Sequence, residues 1–148
     1  QVLHVLPPVG GASVSVERIL GMLFAPLAWT MGVPWREAPA AGSLLGVKLV
    51  LTEFTAFINL SQIPAAEMGE RTRVIMTYAL CGFANIASVG INLAGFSVLV
   101  PERRAEITAM VWRAMLAGFL ATCMTGSVIG AMPSGLFSHT APPAASGH

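Results

Sequence analysis

Residues 74–101 read VIMTYALCGFANIASVGINLAGFSVLVP, and the stretch contains no Asp, Glu, Lys or Arg. About 20 apolar residues suffice to cross the hydrocarbon of a bilayer, so a run of this length can span with some tilt. It is not uniformly apolar. Cys81, Asn85, Ser88 and Asn92 are spaced by four, three and four residues, which would put them on one face of a continuous helix. Gly82, Ala84, Ala87, Gly90, Ala94 and Gly95 surround them. Small residues permit close helix packing, and Gly also weakens a helix. Two readings therefore stand side by side. The segment is a packed helix whose polar stripe bonds to neighbouring helices, or its middle (Gly82–Asn85) is unwound and offers backbone and side-chain groups to a solute.

Working outward, the same composition continues. Of the 148 residues 55% are hydrophobic and 10% charged, against about a quarter charged in a soluble domain. A small soluble domain would lack the side chains to cover its surface. No charged residue occurs after Arg113, and the apolar part of that run reaches about Met132. A third uncharged run, Ile19 to Trp35, is marginal in length and contains Pro26 and Gly32. Trp29 and Trp35 suit an interfacial aromatic belt, and Arg113, beside Trp112, is placed to snorkel. Net charge is +1 with scattered basic residues, which argues against a nucleic-acid partner.

The expected organisation is all-α and membrane-embedded. Residues 1–15, with Pro7-Pro8 and Gly10-Gly11, read as a loop behind a cut N-terminus at Gln1. A helix is expected over 16–32, closed by Val33-Pro34-Trp35-Arg36. Residues 41–64 are mostly apolar but carry Lys48 and Glu53 near their middle. They form either one poor transmembrane helix with two buried charges or a re-entrant hairpin of two short helices with its tip near Thr52-Glu53. Polar residues 67–73 connect to a span over 72–100. Pro101-Glu102-Arg103-Arg104 opens a charged loop, and a final helix is expected over 105–132. The tail, 134–148, is rich in Pro, Ala, Ser and Gly and expected to be disordered.

Glu53 stands out on physical grounds alone. All seven acidic residues are Glu, and the other six fall near expected interfaces or in loops. A charge at bilayer depth costs at least about 2.5 kcal/mol on insertion scales, so it needs a cavity and a partner. One reading is a ligand or ion contact. The other is an ion pair with Lys48, although a separation of five residues is poor for helical neighbours. Cys81 and Cys123 lie within apolar runs and read as packing residues rather than a disulfide. His4, His139 and His148 have no metal-ligand spacing. Asn59-Leu60-Ser61 matches the glycosylation triplet, a frequent chance match in a position expected close to the membrane. No nucleophile, phosphate loop or zinc motif points to an enzyme.

Two blocks carry a resemblance. GVKLVLTEFTAF (46–57) resembles the TKLxxNEFVAY segment, and TYALCGFANIASVGI (77–91) the TYALCGFANFSSIGI segment, of the concentrative nucleoside transporters. PLAWTMGVPW (26–35) and PERR (101–104) also fit, so the resemblance covers about Leu20 to Met132. It implies the second half of a transport domain built as an inverted repeat: a re-entrant hairpin at 41–64, a broken helix at 72–100 and a continuous final helix. By the same resemblance Glu53 binds ribose hydroxyls, Phe83 packs against the nucleoside, and Asn85 and Ser88 hydrogen-bond the ribose. It further implies Na+ or H+ as coupling ion, bound outside this chain, and no other cofactor. The implied setting is the plasma (cell inner) membrane, where the rest of the transporter chain and a homotrimer complete the protein. Within the motifs, Thr52 stands for the usual Asn, Thr55 for Val, Phe57 for Tyr, and Ile86-Ala87 for Phe-Ser.

Overall fold

A computed structural model describes residues 16–133. The expected loop over 1–15 and tail over 134–148 lie outside the described residues. Six α-helices and one 3-10 turn follow in order: α1 Val16–Thr30, α2 Ala38–Val50, α3 Glu53–Gln62, α4 Glu70–Leu80, α5 Ile86–Leu99, the turn Pro101–Arg103, and α6 Arg104–Ala131. Among the described residues there is no strand.

Local chemistry sets the ends. After α1 the chain turns through Gly32 at φ +91°, a left-handed conformation that suits glycine. Gly32 N–H donates to the Trp29 carbonyl (2.9 Å) and Val33 N–H to the Ala28 carbonyl (3.3 Å). This paired closure satisfies carbonyls that the helix end leaves free. Pro39 sits in the first turn of α2, where its missing N–H costs nothing. Only Leu51 and Thr52 separate α2 from α3, so the two form a tight helical hairpin. Ile63 is extended ahead of Pro64 and ends α3. Pro101 likewise stands between α5 and α6.

The core lies where α1, α2, α4 and α6 meet. Ala28, Met31, Leu44, Leu45, Ile75, Met76, Leu80 and Phe119 are buried there. α1 and α2 approach at backbone distance: a Cβ on Gly21 would stand 2.7 Å from the Pro39 carbonyl oxygen, and one on Gly42 would meet the Gly21 carbonyl. Gly130 of α6 approaches the Met31 carbonyl in the same way.

α5 is different. It packs on α6, and of its residues only Val89 is buried. Ile91 and Val98 are 73% and 82% exposed. Exposed apolar surface of this kind calls for lipid or more protein. Pro101–Ala131, counting the turn, is the one described helix long and apolar enough to cross a membrane.

The stretch 74–101 is therefore not one helix. Residues 81–85 are non-helical between α4 and α5. The one-face stripe does not exist as such: Cys81 and Asn85 belong to the break, Ser88 and Asn92 to α5. Cys81 also departs from the packing role, since it is exposed in the break while Cys123 is buried.

A candidate solute site where two helices begin

The N-termini of α3 and α5 meet at Glu53 and Asn85. Thr52 caps α3, its hydroxyl oxygen accepting from Thr55 N–H at 3.3 Å. Glu53 is thus the first helical residue, next to backbone N–H groups that have no partner within the helix. Asn85 caps α5 with φ −141° and ψ 168°. Its Oδ1 accepts from Ser88 N–H (2.7 Å) and from the Ser88 hydroxyl (2.9 Å). Its Nδ2 donates to Glu53 Oε2 at 3.3 Å.

This pairing crosses from the hairpin to the helix break. Glu53 is half-buried and Asn85 is 3% exposed. The carboxylate keeps Oε1 and further lone pairs for a ligand. Its charge is favoured by the positive ends of two helices. Asn85 spends its acceptor on the cap but retains donor capacity, and the Ser88 oxygen remains an acceptor. Side by side, the three groups offer acceptors and donors suited to a polyhydroxylated solute.

An open cleft of about 350 Å³ lies against this edge, lined by Phe83, Asn85, Ser88, Asn92 and Phe96 of the break and α5 and by Met115 of α6. Small-molecule sites run from about 300 to 1,000 Å³. Glu53 is not part of the cleft wall; it reaches the site from the hairpin side, through Asn85. Phe83 is 79% exposed, an aromatic face left open by the described residues. Asn92 Nδ2 donates to the Ser88 carbonyl at 2.8 Å.

Of the four residues singled out by sequence, Glu53, Asn85 and Ser88 form one hydrogen-bonded group, and Phe83 stands beside it. The Lys48–Glu53 ion pair is not formed. Lys48 turns away to the Ala79 carbonyl (2.8 Å) and Thr122 Oγ1 (2.6 Å). Sequence reasoning missed Thr122, which lies 74 positions from Lys48 with no local signal linking the two.

The family profile described as "Na+ dependent nucleoside transporter C-terminus" matches residues 1–130. The chain belongs to this nucleoside transporter family. The transporter YutK of Bacillus subtilis (strain 168), described as uncharacterized, is 43% identical over 121 residues, covering 82% of the chain. Sodium/nucleoside cotransporter 1 of Mus musculus is 38% identical over 130 residues, covering 78%. The solved structure of CNTnw in an inward-facing substrate-bound state superposes with a TM-score of 0.73 at 38% identity, covering 80% of the chain. The chain spans only 30%, 20% and 29% of these three proteins. Nucleoside transporter family membership makes it part of an integral membrane protein. The named relatives are transporters, not enzymes.

Proposed function

We propose that this chain supplies one half of the substrate site of a cation-coupled nucleoside symporter. The observation that carries the reading is the Glu53–Asn85 contact at the joined N-termini of α3 and α5. A ribose diol offers two hydroxyl donors, and a carboxylate accepts both. Hydrogen bonds to a charged group contribute roughly 1.5–3 kcal/mol each, enough for discrimination against deoxygenated analogues. Asn85 and Ser88 complete the polar edge. Phe83 supplies an aromatic face for a flat base or the sugar.

In this reading α2 and α3 are a re-entrant hairpin, which enters the membrane and returns on the same side. α4 and α5 are the halves of a broken helix, and the whole is one half of an inverted repeat. Non-helical backbone at bilayer depth is tolerated where it lines a cavity or is buried in protein; the break lines the cleft, and the hairpin tip packs beside it through Glu53 and Asn85. The coupling ion, Na+ or H+, binds in the remainder of the transporter chain. Transport proceeds by alternating access in a homotrimer of the plasma (cell inner) membrane. A packing-only role for the polar groups leaves unexplained why a carboxylate is held at this depth beside an unwound segment.

The test is nucleoside uptake by the full-length parent in a host without its own transporters. Glu53→Gln keeps the shape but removes the charge. Uptake of uridine and adenosine is expected to fall at least about tenfold, the effect of one lost charged hydrogen bond, with membrane expression unchanged. Normal uptake by Glu53→Gln would sink the assignment.

A further inference from the structure

Among the described residues Lys48 is the one cation with a fully buried side chain. A buried ammonium without compensation is costly, and no carboxylate lies within ion-pair distance of it among the described residues. Its compensation has three parts. One N–H donates to the Ala79 carbonyl at 2.8 Å. Another donates to Thr122 Oγ1 at 2.6 Å, and that hydroxyl passes its own hydrogen to the Phe119 carbonyl at 2.8 Å. The Phe119 ring lies 5.7 Å from the nitrogen, within cation–π range.

The placement of these groups is specific. Ala79 is in the last turn of α4, which ends at Leu80, and Lys48 is itself in the last turn of α2, which ends at Val50. The ammonium thus sits on a carbonyl at the negative end of α4 and springs from the last turn of α2, positions where a cation is favoured. The break begins at Cys81, two residues beyond Ala79. There, a Cβ on Gly82 would stand 2.5 Å from Thr122 Cγ2 and 3.8 Å from Lys48 Nζ, so α6 presses on the break at the residue that also holds the lysine. One side chain therefore joins the hairpin, the end of α4 and α6.

We propose that Lys48 is a positioning residue for the solute site: a tethered cation that fixes the C-terminal ends of α2 and α4 against α6, so that Glu53 of the hairpin and Asn85 of the break stay within hydrogen-bonding reach. The functional part of the proposal rests on the nucleoside reading; the structural part does not. Lys48 touches no group of the site directly. It acts through the two non-helical connections, Leu51-Thr52 and residues 81–85, that start within a few residues of its anchors.

The experiment uses the full-length transporter, purified in detergent, with Lys48→Met, Lys48→Arg, Thr122→Val and the Lys48→Met/Thr122→Val double variant. Uridine binding is one readout. The other is the maleimide labelling rate of the exposed Cys81, followed by mass spectrometry of its peptide, which reports on the break whatever the solute. Lys48→Met is expected to weaken uridine binding about tenfold or more, as for one lost charged hydrogen bond, and to speed Cys81 labelling several-fold. Lys48→Arg keeps the charge and recovers most of both. Thr122→Val moves both readouts the same way by less, and the double variant is no worse than Lys48→Met, because the two act as one unit. Unchanged binding and labelling in Lys48→Met overturns the proposal, as does a double variant whose losses multiply. Should Lys48→Met fail to fold, Thr122→Val decides, and wild-type values for it overturn the proposal. A wild-type protein that binds no uridine, combined with faster Cys81 labelling in Lys48→Met, removes the nucleoside reading and leaves the anchoring of the break standing.

Discussion

Asn85 performs two tasks with the two ends of one amide, and substitution can separate them. Its oxygen caps α5 through Ser88, and its nitrogen holds Glu53. Asn85→Ala removes both. Loss of an N-cap costs about 1 kcal/mol, and loss of a hydrogen bond to a carboxylate roughly 1.5–3 kcal/mol. Asn85→Asp keeps an acceptor for the cap but sets a second carboxylate where the donor stood. At the present 3.3 Å, two ionised groups repel by about 5 kcal/mol at an effective dielectric of about 20. Water reaching the half-exposed Glu53 screens this, and a small displacement of Glu53 relieves most of the rest. The strain therefore falls on the position of Glu53 rather than on α5. Thermal unfolding and uridine binding of the full-length protein are the paired assays. Asn85→Ala is expected to lose both stability and binding. Asn85→Asp is expected to unfold closer to wild type than Asn85→Ala does while binding at least about tenfold more weakly than wild type. If Asn85→Asp binds uridine like wild type, the Glu53 contact has no bearing on the solute. If it is no more stable than Asn85→Ala, the capping argument fails.

Gly42→Ala places a Cβ 2.8 Å from the Ala25 nitrogen and 3.0 Å from the Phe24 carbonyl carbon. These are backbone atoms of α1 that cannot swing aside. A loss of about 1–3 kcal/mol is expected from overpacking, despite the better helix propensity of alanine, and a lowered unfolding temperature in detergent measures it; an unchanged temperature would show that α1 and α2 do not touch so closely. Arg73 donates to the Leu60 carbonyl (3.1 Å) and to the Ile63 carbonyl, closing the end of α3 from α4. Arg73→Met is expected to cost about 2 kcal/mol and to speed amide hydrogen exchange over residues 62–69, with slow exchange there counting against the closure.

What could be read from the sequence follows the range of each interaction. Charge-free runs and helix ends depend on near neighbours, so the helical, membrane-embedded character was legible: Pro64 and Pro101 stand close to element boundaries, and Pro34 lies in the connection between α1 and α2. Glu53 was conspicuous because a carboxylate in an apolar context breaks the surrounding pattern. The resemblance sets Asn85 on the same solute, but the direct bond between the two is not legible, because Asn85 lies 32 positions away on an element that spacing alone allows to be a continuous helix. Periodicity assigns Cys81, Asn85, Ser88 and Asn92 to one face without detecting that the helix stops. A short side chain that caps a helix and one that faces a neighbour leave the same mark in the sequence. Along the chain, Lys48 has Glu53 as its nearest opposite charge. Its real partners, a carbonyl and a hydroxyl, are neutral groups brought up by distant helices.

The helix ends explain why both charges are tolerated where they are. The α2–α3 and α4–α5 junctions each bring together one helix C-terminus and one helix N-terminus. The chain gathers them by sign. The end of α4 meets the ammonium of Lys48, itself in the last turn of α2, and Glu53, first residue of α3, meets Asn85, the cap of α5. Each charge is placed at helix ends of the favourable sign with no direct ion pair between the two, which in the proposed reading leaves Glu53 free to accept from a solute. An ion pair between Lys48 and Glu53 would have satisfied both residues locally and consumed the acceptor. Holding them apart, with the cation buried and the anion partly exposed, leaves the carboxylate available to the solute in the proposed reading. Moving the cation into reach of Glu53 should then abolish solute binding without unfolding the helices, which separates this arrangement from one in which the two charges serve stability alone.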